Sequence, residues 1–241
     1  MNQRTVAEAS RPTRPGPAAR RVGSPCDPAT GVTRSLLAYG VLAGPTYLLV
    51  SLAQALSRDG FDLTRHAWSL LANGAFGWIQ ITNLVLTGLM TGAFALGLHR
   101  VPPAGPGATW APRLMGAYAV SLVAAGAFRA DPALGFPAGT PEVGAPVTWH
   151  GTLHFVAGGI GFGCLVAACL ILGRRFSTEE RRGWAVLSRL TGVLFLAGFV
   201  AMAASAGSTW GNLAFTAAVV LAWAWMSAVA AHLYRRTAPG H

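Results

Sequence analysis

What constrains this chain most is a succession of six apolar runs, at about 35–56, 79–98, 112–129, 150–172, 185–206 and 211–234. Each is close to the roughly 20 residues that an α-helix needs to cross a bilayer. Lipid offers no partner for backbone N–H and C=O groups, so a run that crosses alone must satisfy them internally, as a helix does. Charge agrees: only 11% of the residues are Asp, Glu, Lys or Arg and 53% are hydrophobic, whereas soluble domains run about a quarter charged. The expected fold is all-α, an integral membrane bundle of about six transmembrane helices. The third run is the shortest, and Arg129 closes it.

Residues 1–33 are rich in Pro, Arg, Ala and Thr and hold no apolar run. A secretory signal needs an apolar stretch of about 7–15 residues, so this segment reads as a disordered tail. The membrane domain then covers 34–236, and 237–241 is a short second tail. All 18 positive side chains are arginine, and the formal net charge is +10. A basic face for nucleic acid would group them along one surface; here they sit at the ends of the runs.

Their distribution orients the chain. Arg4, Arg11, Arg14, Arg20, Arg21 and Arg34 precede or open the first run. Arg100 and Arg113 flank the second connection, Arg174, Arg175, Arg181, Arg182 and Arg189 the fourth, and Arg235 and Arg236 end the last run. Only Arg58, Arg65 and Arg129 belong to the opposite side. Positive charge is retained on the cytoplasmic face, so both termini are expected in the cytoplasm. Trp68, Trp78, Trp110, Trp149, Trp184 and Trp210 fall near run ends, where interfacial anchors belong.

Two loops then face outward. One, about 57–78, carries Arg58, Asp59, Asp62, Arg65, His66, Ser69 and Asn73; its part 66–76 is too short to span and reads as lying along the interface or folding back over the bundle. The other, about 130–149, carries Asp131 and Glu142. Polar side chains inside a bilayer are costly enough to mark packing or function. Tyr47, Ser51, Gln54 and Arg58 share one helical face, as do Gln80, Asn83, Thr87 and Thr91. Together with the loops they suggest an outward polar pocket drawn from Gln54, Asp62, His66, Ser69, Gln80, Asn83, Arg129, Asp131, His150 and His154. Hydrogen-bonded helix contacts are the competing account of Gln80, Asn83, Thr87 and Thr216. Gly158, Gly159 and Gly163 read as close helix contacts.

His150 and His154 are spaced i, i+4 and can share a metal. With Asp131 as third ligand, zinc would hold a water and lower its pKa for hydrolysis. The competing account is structural: an ion pair of Asp131 with Arg129 or capping of a turn, and His150 as an interfacial helix start. Every carboxylate falls in a loop or tail, which speaks against a mid-membrane proton relay. Cys26, Cys164 and Cys169 are placed neither for a disulfide nor for a metal knuckle.

Several short stretches together resemble a known family. They are Gly44-Pro45, His66 through Ser69 with Asn73-Gly74, Gly77-Trp78 with Gln80 and Asn83, Asp131-Pro132 with Gly135 and Pro137, and His150-Gly151 with His154. Over about residues 35–234 the chain resembles the domain of unknown function 998 (DUF 998) family of bacterial multi-pass membrane proteins. The resemblance implies a multi-helix inner-membrane protein and carries no activity with it. A looser similarity is to seven-helix membrane hydrolases of the alkaline ceramidase type, which use Ser, Asp and paired His around zinc. Ser69, His66, Asp131, His150 and His154 are of those types, but this chain has one helix fewer and its HxxxH pair lies in the fourth run instead of the last. Three functions follow as expectations: binding or carrying a small molecule or lipid head group, zinc-dependent lipid hydrolysis, or a non-catalytic partner subunit.

Overall fold

A computed structural model describes residues 28–101, 108–205 and 207–237. It contains six α-helices: α1 (Pro28–Ser57), α2 (Gly77–Arg100), α3 (Trp110–Ala127), α4 (Trp149–Thr178), α5 (Arg182–Ala204) and α6 (Thr209–Arg236). A 3₁₀ turn, Trp68–Ala72, lies between α1 and α2. The six apolar runs correspond to the six helices. α1 begins at Pro28, seven residues before the first run and inside the segment expected to be a tail; residues 1–27 and 238–241 lie outside the described chain. α3 ends at Ala127, so Arg129 falls beyond its C-cap residue Phe128.

Five of the helices are long and apolar enough to cross a membrane: α1, α2, α4, α5 and α6. α3 is less apolar because Pro112 and Arg113 stand in its first turn. Its 18 residues still rise about 27 Å at 1.5 Å each, near the hydrocarbon thickness of about 30 Å. Each helix packs on its two sequence neighbours, and α6 returns to pack on α1. Neighbours run in alternate directions, as Gln54 meeting Gln80 and Thr33 meeting Arg100 show for α1 and α2, so the result is a closed up-and-down ring of six helices. The beginning of α1 and the end of α6 therefore share one end of the ring, where Arg34 lies 4.5 Å over the Tyr234 ring.

The distribution of side chains is that of a bundle in lipid. Leu42, Leu49 and Leu56 of α1, Leu86, Leu89 and Leu96 of α2, and Leu190, Val193, Leu194 and Val200 of α5 are exposed, while Ser51, Gln54, Gln80, Asn83, Thr87 and Thr91 are buried. Water would favour the reverse arrangement, since apolar surface of this extent in a soluble chain marks an interface. The chain is a multi-pass membrane protein.

Close helix approach occurs at glycines other than the expected ones. A Cβ on Gly44 would lie 2.7 Å from the Trp223 carbonyl oxygen, and one on Gly198 2.8 Å from the Ala218 Cβ. A Cβ on Gly158, Gly159 or Gly163 would meet nothing within 4 Å, so the GxxxG pair Gly159/Gly163 packs no helix. The tryptophans divide similarly. Trp78, Trp110, Trp149 and Trp210 are each 60% exposed or more, as anchors should be, but Trp68, in the outer 3₁₀ turn, is buried against Tyr47 of α1.

Candidate functional site

The polar faces of α1 and α2 meet each other. Gln54 Nε2 donates to Gln80 Oε1 (2.8 Å), Gln80 Nε2 donates to Ser51 Oγ (3.2 Å), and Asn83 Nδ2 donates to Ser51 Oγ (3.1 Å) and to the Tyr47 carbonyl (3.2 Å). Thr87 and Thr91 bond back to the carbonyls of Asn83 and Thr87 on their own helix. Hydrogen bonds of this kind between membrane helices average about 0.6 kcal/mol. The network joins two helices, and Gln54, Gln80 and Asn83 are not in the lining of the bundle's central cavity.

The outer loops form a lid that is tied down at both edges. Arg58 donates to the carbonyls of Leu71 and Asn73, both at 2.6 Å, and lies 4.9 Å over the Phe136 ring. Partial burial lowers the pKa of its guanidinium, which stays charged in this range. Asn73 Nδ2 donates to the Ala130 carbonyl (3.0 Å), and Asn212 Nδ2 at the outer end of α6 donates to the Leu63 carbonyl (2.9 Å). His66 joins the two loops. The Asp62 N–H donates to its Nδ1 (2.9 Å), so the proton sits on Nε2, which lies 2.9 Å from the Leu134 carbonyl. The Asp62 carboxylate accepts from the Thr64 hydroxyl and N–H, and these bonds lower its pKa.

Asp131 caps α4. Its carboxylate accepts from the Thr148 N–H (2.8 Å) and hydroxyl (2.5 Å), and the Thr148 hydroxyl oxygen accepts from the Gly151 N–H (3.1 Å). A negative charge here also suits the helix dipole. The expected ion pair with Arg129 is absent: Arg129 is exposed and makes no side-chain bond among the described residues. His150 is exposed and lies against Trp149, with ring centroids 3.6 Å apart and the planes tilted by 31°. His154, one turn on, is 8% exposed.

Beneath the lid the ring encloses a cavity of about 500 Å³. Tyr47, Tyr118, Phe162, Phe195, Phe215 and Trp223 contribute to its walls, with Tyr47 and Trp223 stacked at 4.7 Å. It stops about halfway through the bundle, because the inner half is filled by Phe94, Met115, Leu165, Trp225 and Met226, none more than 1% exposed. Of the candidate pocket residues, Ser69, Asp131 and His154 line this cavity, whereas Gln54, Asp62, His66, Gln80, Asn83, Arg129 and His150 do not. Asn212, Ser121 and Thr216 add polar atoms that the sequence reading left out of the pocket.

His154 supplies the cavity's most reactive nitrogen. Its Nδ1 lies 3.1 Å from the Ala125 carbonyl and 2.9 Å from that of Phe128. Carbonyls only accept, so Nδ1 carries the proton, and in the neutral ring Nε2 is an acceptor on a residue that lines the cavity. That nitrogen can accept a ligand's proton or hydrogen bond. Among the described residues no three His, Cys, Asp or Glu side chains converge as metal ligands.

The model of a protein family described as "Protein of unknown function (DUF998)" matches residues 41–232. The chain belongs to the DUF998 family. The matched stretch runs from α1 through α6 and takes in the lid, the cavity and His154. No curated protein and no solved structure matches the chain.

The aromatic cavity wall is what sequence reading missed. Phe195 and Phe199 stand one turn apart on α5, and Phe155 and Phe162 two turns apart on α4. Large rings repeating on one face of two consecutive membrane helices are the available signal. It is masked because an aromatic side chain in an apolar run is equally suited to lipid.

Proposed function

We propose that this DUF998 protein binds or carries a small amphiphilic molecule in its central cavity, and that it does so in a bacterial cytoplasmic membrane with both termini in the cytoplasm. The observation that carries the reading is an aromatic-walled cavity, closed at its inner end, with a few polar groups at its lidded end. Mostly apolar pockets of about 300–1,000 Å³ with few, placed polar groups are what small ligands occupy. The filled inner half of the ring argues for holding a molecule over conducting one. Orientation rests on the arginines: Arg34, Arg100, Arg175, Arg189 and Arg236 all belong to the end away from the lid, and positive charge marks the cytoplasmic side.

Zinc-dependent hydrolysis has less support. It needs His150, His154 and Asp131 on one ion, and His150 lies exposed against Trp149 while Asp131 is engaged by Thr148.

The test is thermal unfolding of the detergent-purified protein against a panel of single-chain lipids differing in head group. A ligand present at 100 times its Kd adds about 2.7 kcal/mol, and a rise in Tm is expected for at least one class. Thr216→Phe, which places a ring in the cavity, should remove that rise. A panel without effect, or a rise that survives Thr216→Phe, would overturn the proposal.

A further inference from the structure

The cavity has a side opening. On α1, α2, α3 and α6, every residue lining it is buried or half-buried. On α4 and α5 the lining includes exposed residues: Phe155, 66% exposed, and Ala203. These two helices touch closely toward the inner end. There a Cβ on Gly192 would lie 3.0 Å from the Cys169 Cβ, and one on Gly173 2.8 Å from Arg189 Cγ. Halfway out, Phe162 bridges to Phe195 and Phe199 with centroids 5.1 and 5.2 Å apart. Further out, the lining glycines Gly158 and Gly159 face open space. α4 and α5 thus diverge outward, and the gap opens in the wall of the ring, where lipid lies.

The polar groups select the occupant's head. Arg65 is the cation in the described lining, and Glu142 neutralises it. The Asp131 carboxylate, engaged by the Thr148 N–H and hydroxyl, also lies in the lining. No free cation is left there for an anionic head, and His154 Nε2 asks for a donor.

Resting on the binding function proposed above, we infer that the α4–α5 mouth admits from the outer leaflet a neutral single-chain amphiphile of the monoacylglycerol class. Its acyl chain lies along the aromatic wall, and a hydroxyl donates to His154 Nε2.

The test follows association of a monoacylglycerol brominated in its chain, by the part of the tryptophan quenching that Thr216→Phe removes, in the full chain carrying Cys26→Ser and Cys164→Ala. Phe155→Cys at the mouth and Pro132→Cys in the lid are each reacted with a bulky maleimide. Modification at position 155 is expected to slow association about tenfold, and at 132 by less than about twofold, within the range over which on-rates vary at one site. The reverse pattern, or equal effects, overturns lateral entry while leaving cavity binding intact. No such quenching in the unmodified protein overturns cavity binding itself. For the head group, a fatty methyl ester of the same chain should bind about fivefold more weakly, the value of one hydrogen bond, and His154→Phe should erase that gap. A phosphate-headed single-chain lipid binding as tightly as the monoacylglycerol overturns the neutral-head assignment.

Discussion

Replacing Glu179 with alanine is expected to destabilise the protein by about 2 kcal/mol, because it strands a buried arginine. Arg175 is 3% exposed, and its Nε donates to Glu179 Oε1 at 3.0 Å; Arg236, from the end of α6, donates to the other carboxylate oxygen at 2.6 Å. Breaking a fully buried pair costs about 3–5 kcal/mol; this one borders water and Arg236 is 43% exposed, which reduces the figure. The double variant Glu179→Ala with Arg175→Met should recover most of the loss, since removing both partners leaves no uncompensated charge. Acid should imitate the single variant. Burial alone would raise the Glu179 pKa, but the bonds from Arg236 and Arg175 outweigh it and hold the group below its ordinary value. A depressed carboxylate contributes its stability above the unfolded pKa and loses it as pH falls through the folded one. The Tm of the wild type should therefore drop below about pH 4, where an ordinary glutamate takes up its proton, and that of Glu179→Gln should drop less.

Arg58→Ala should release the lid without unfolding the ring. Each of its two bonds to carbonyls is charge-assisted, a class worth about 1.5–3 kcal/mol, and both fall on the turn that roofs the cavity. Hydrogen–deuterium exchange is the readout. Amides of residues 62–73 should exchange at least about tenfold faster, matching a local loss of about 1.4 kcal/mol or more. Those of α2 and α4 should change little. Uniform acceleration across the bundle would mean that Arg58 supports the whole fold.

The helices were legible in the sequence because lipid fixes their length and composition together. Six runs of the right length gave six helices, and Arg129 marked the end of α3 to within two residues. Pro28–Thr33 were not legible as helix: the segment has no continuous apolar run and opens on a proline, which a first helical turn tolerates. The site was less legible, for a geometric reason. Ser51, Gln54, Gln80 and Asn83 were correctly placed on single helical faces, but a face does not say what it meets. Here two polar faces meet each other, which satisfies them and leaves the cavity to aromatic rings. His154 and Asp131 stand out in the sequence because their chemistry is rare in such a chain. What each binds depends on backbone carbonyls and a threonine that no spacing rule identifies.

The central claim, a ligand-holding cavity in the outer half of the ring, is tested most directly by native mass spectrometry of the protein released from mild detergent after incubation with membrane lipids. The expected result is one added lipid mass per chain in the wild type and the bare polypeptide mass in Thr216→Phe. Bare polypeptide in both, or the same added mass in both, would contradict it.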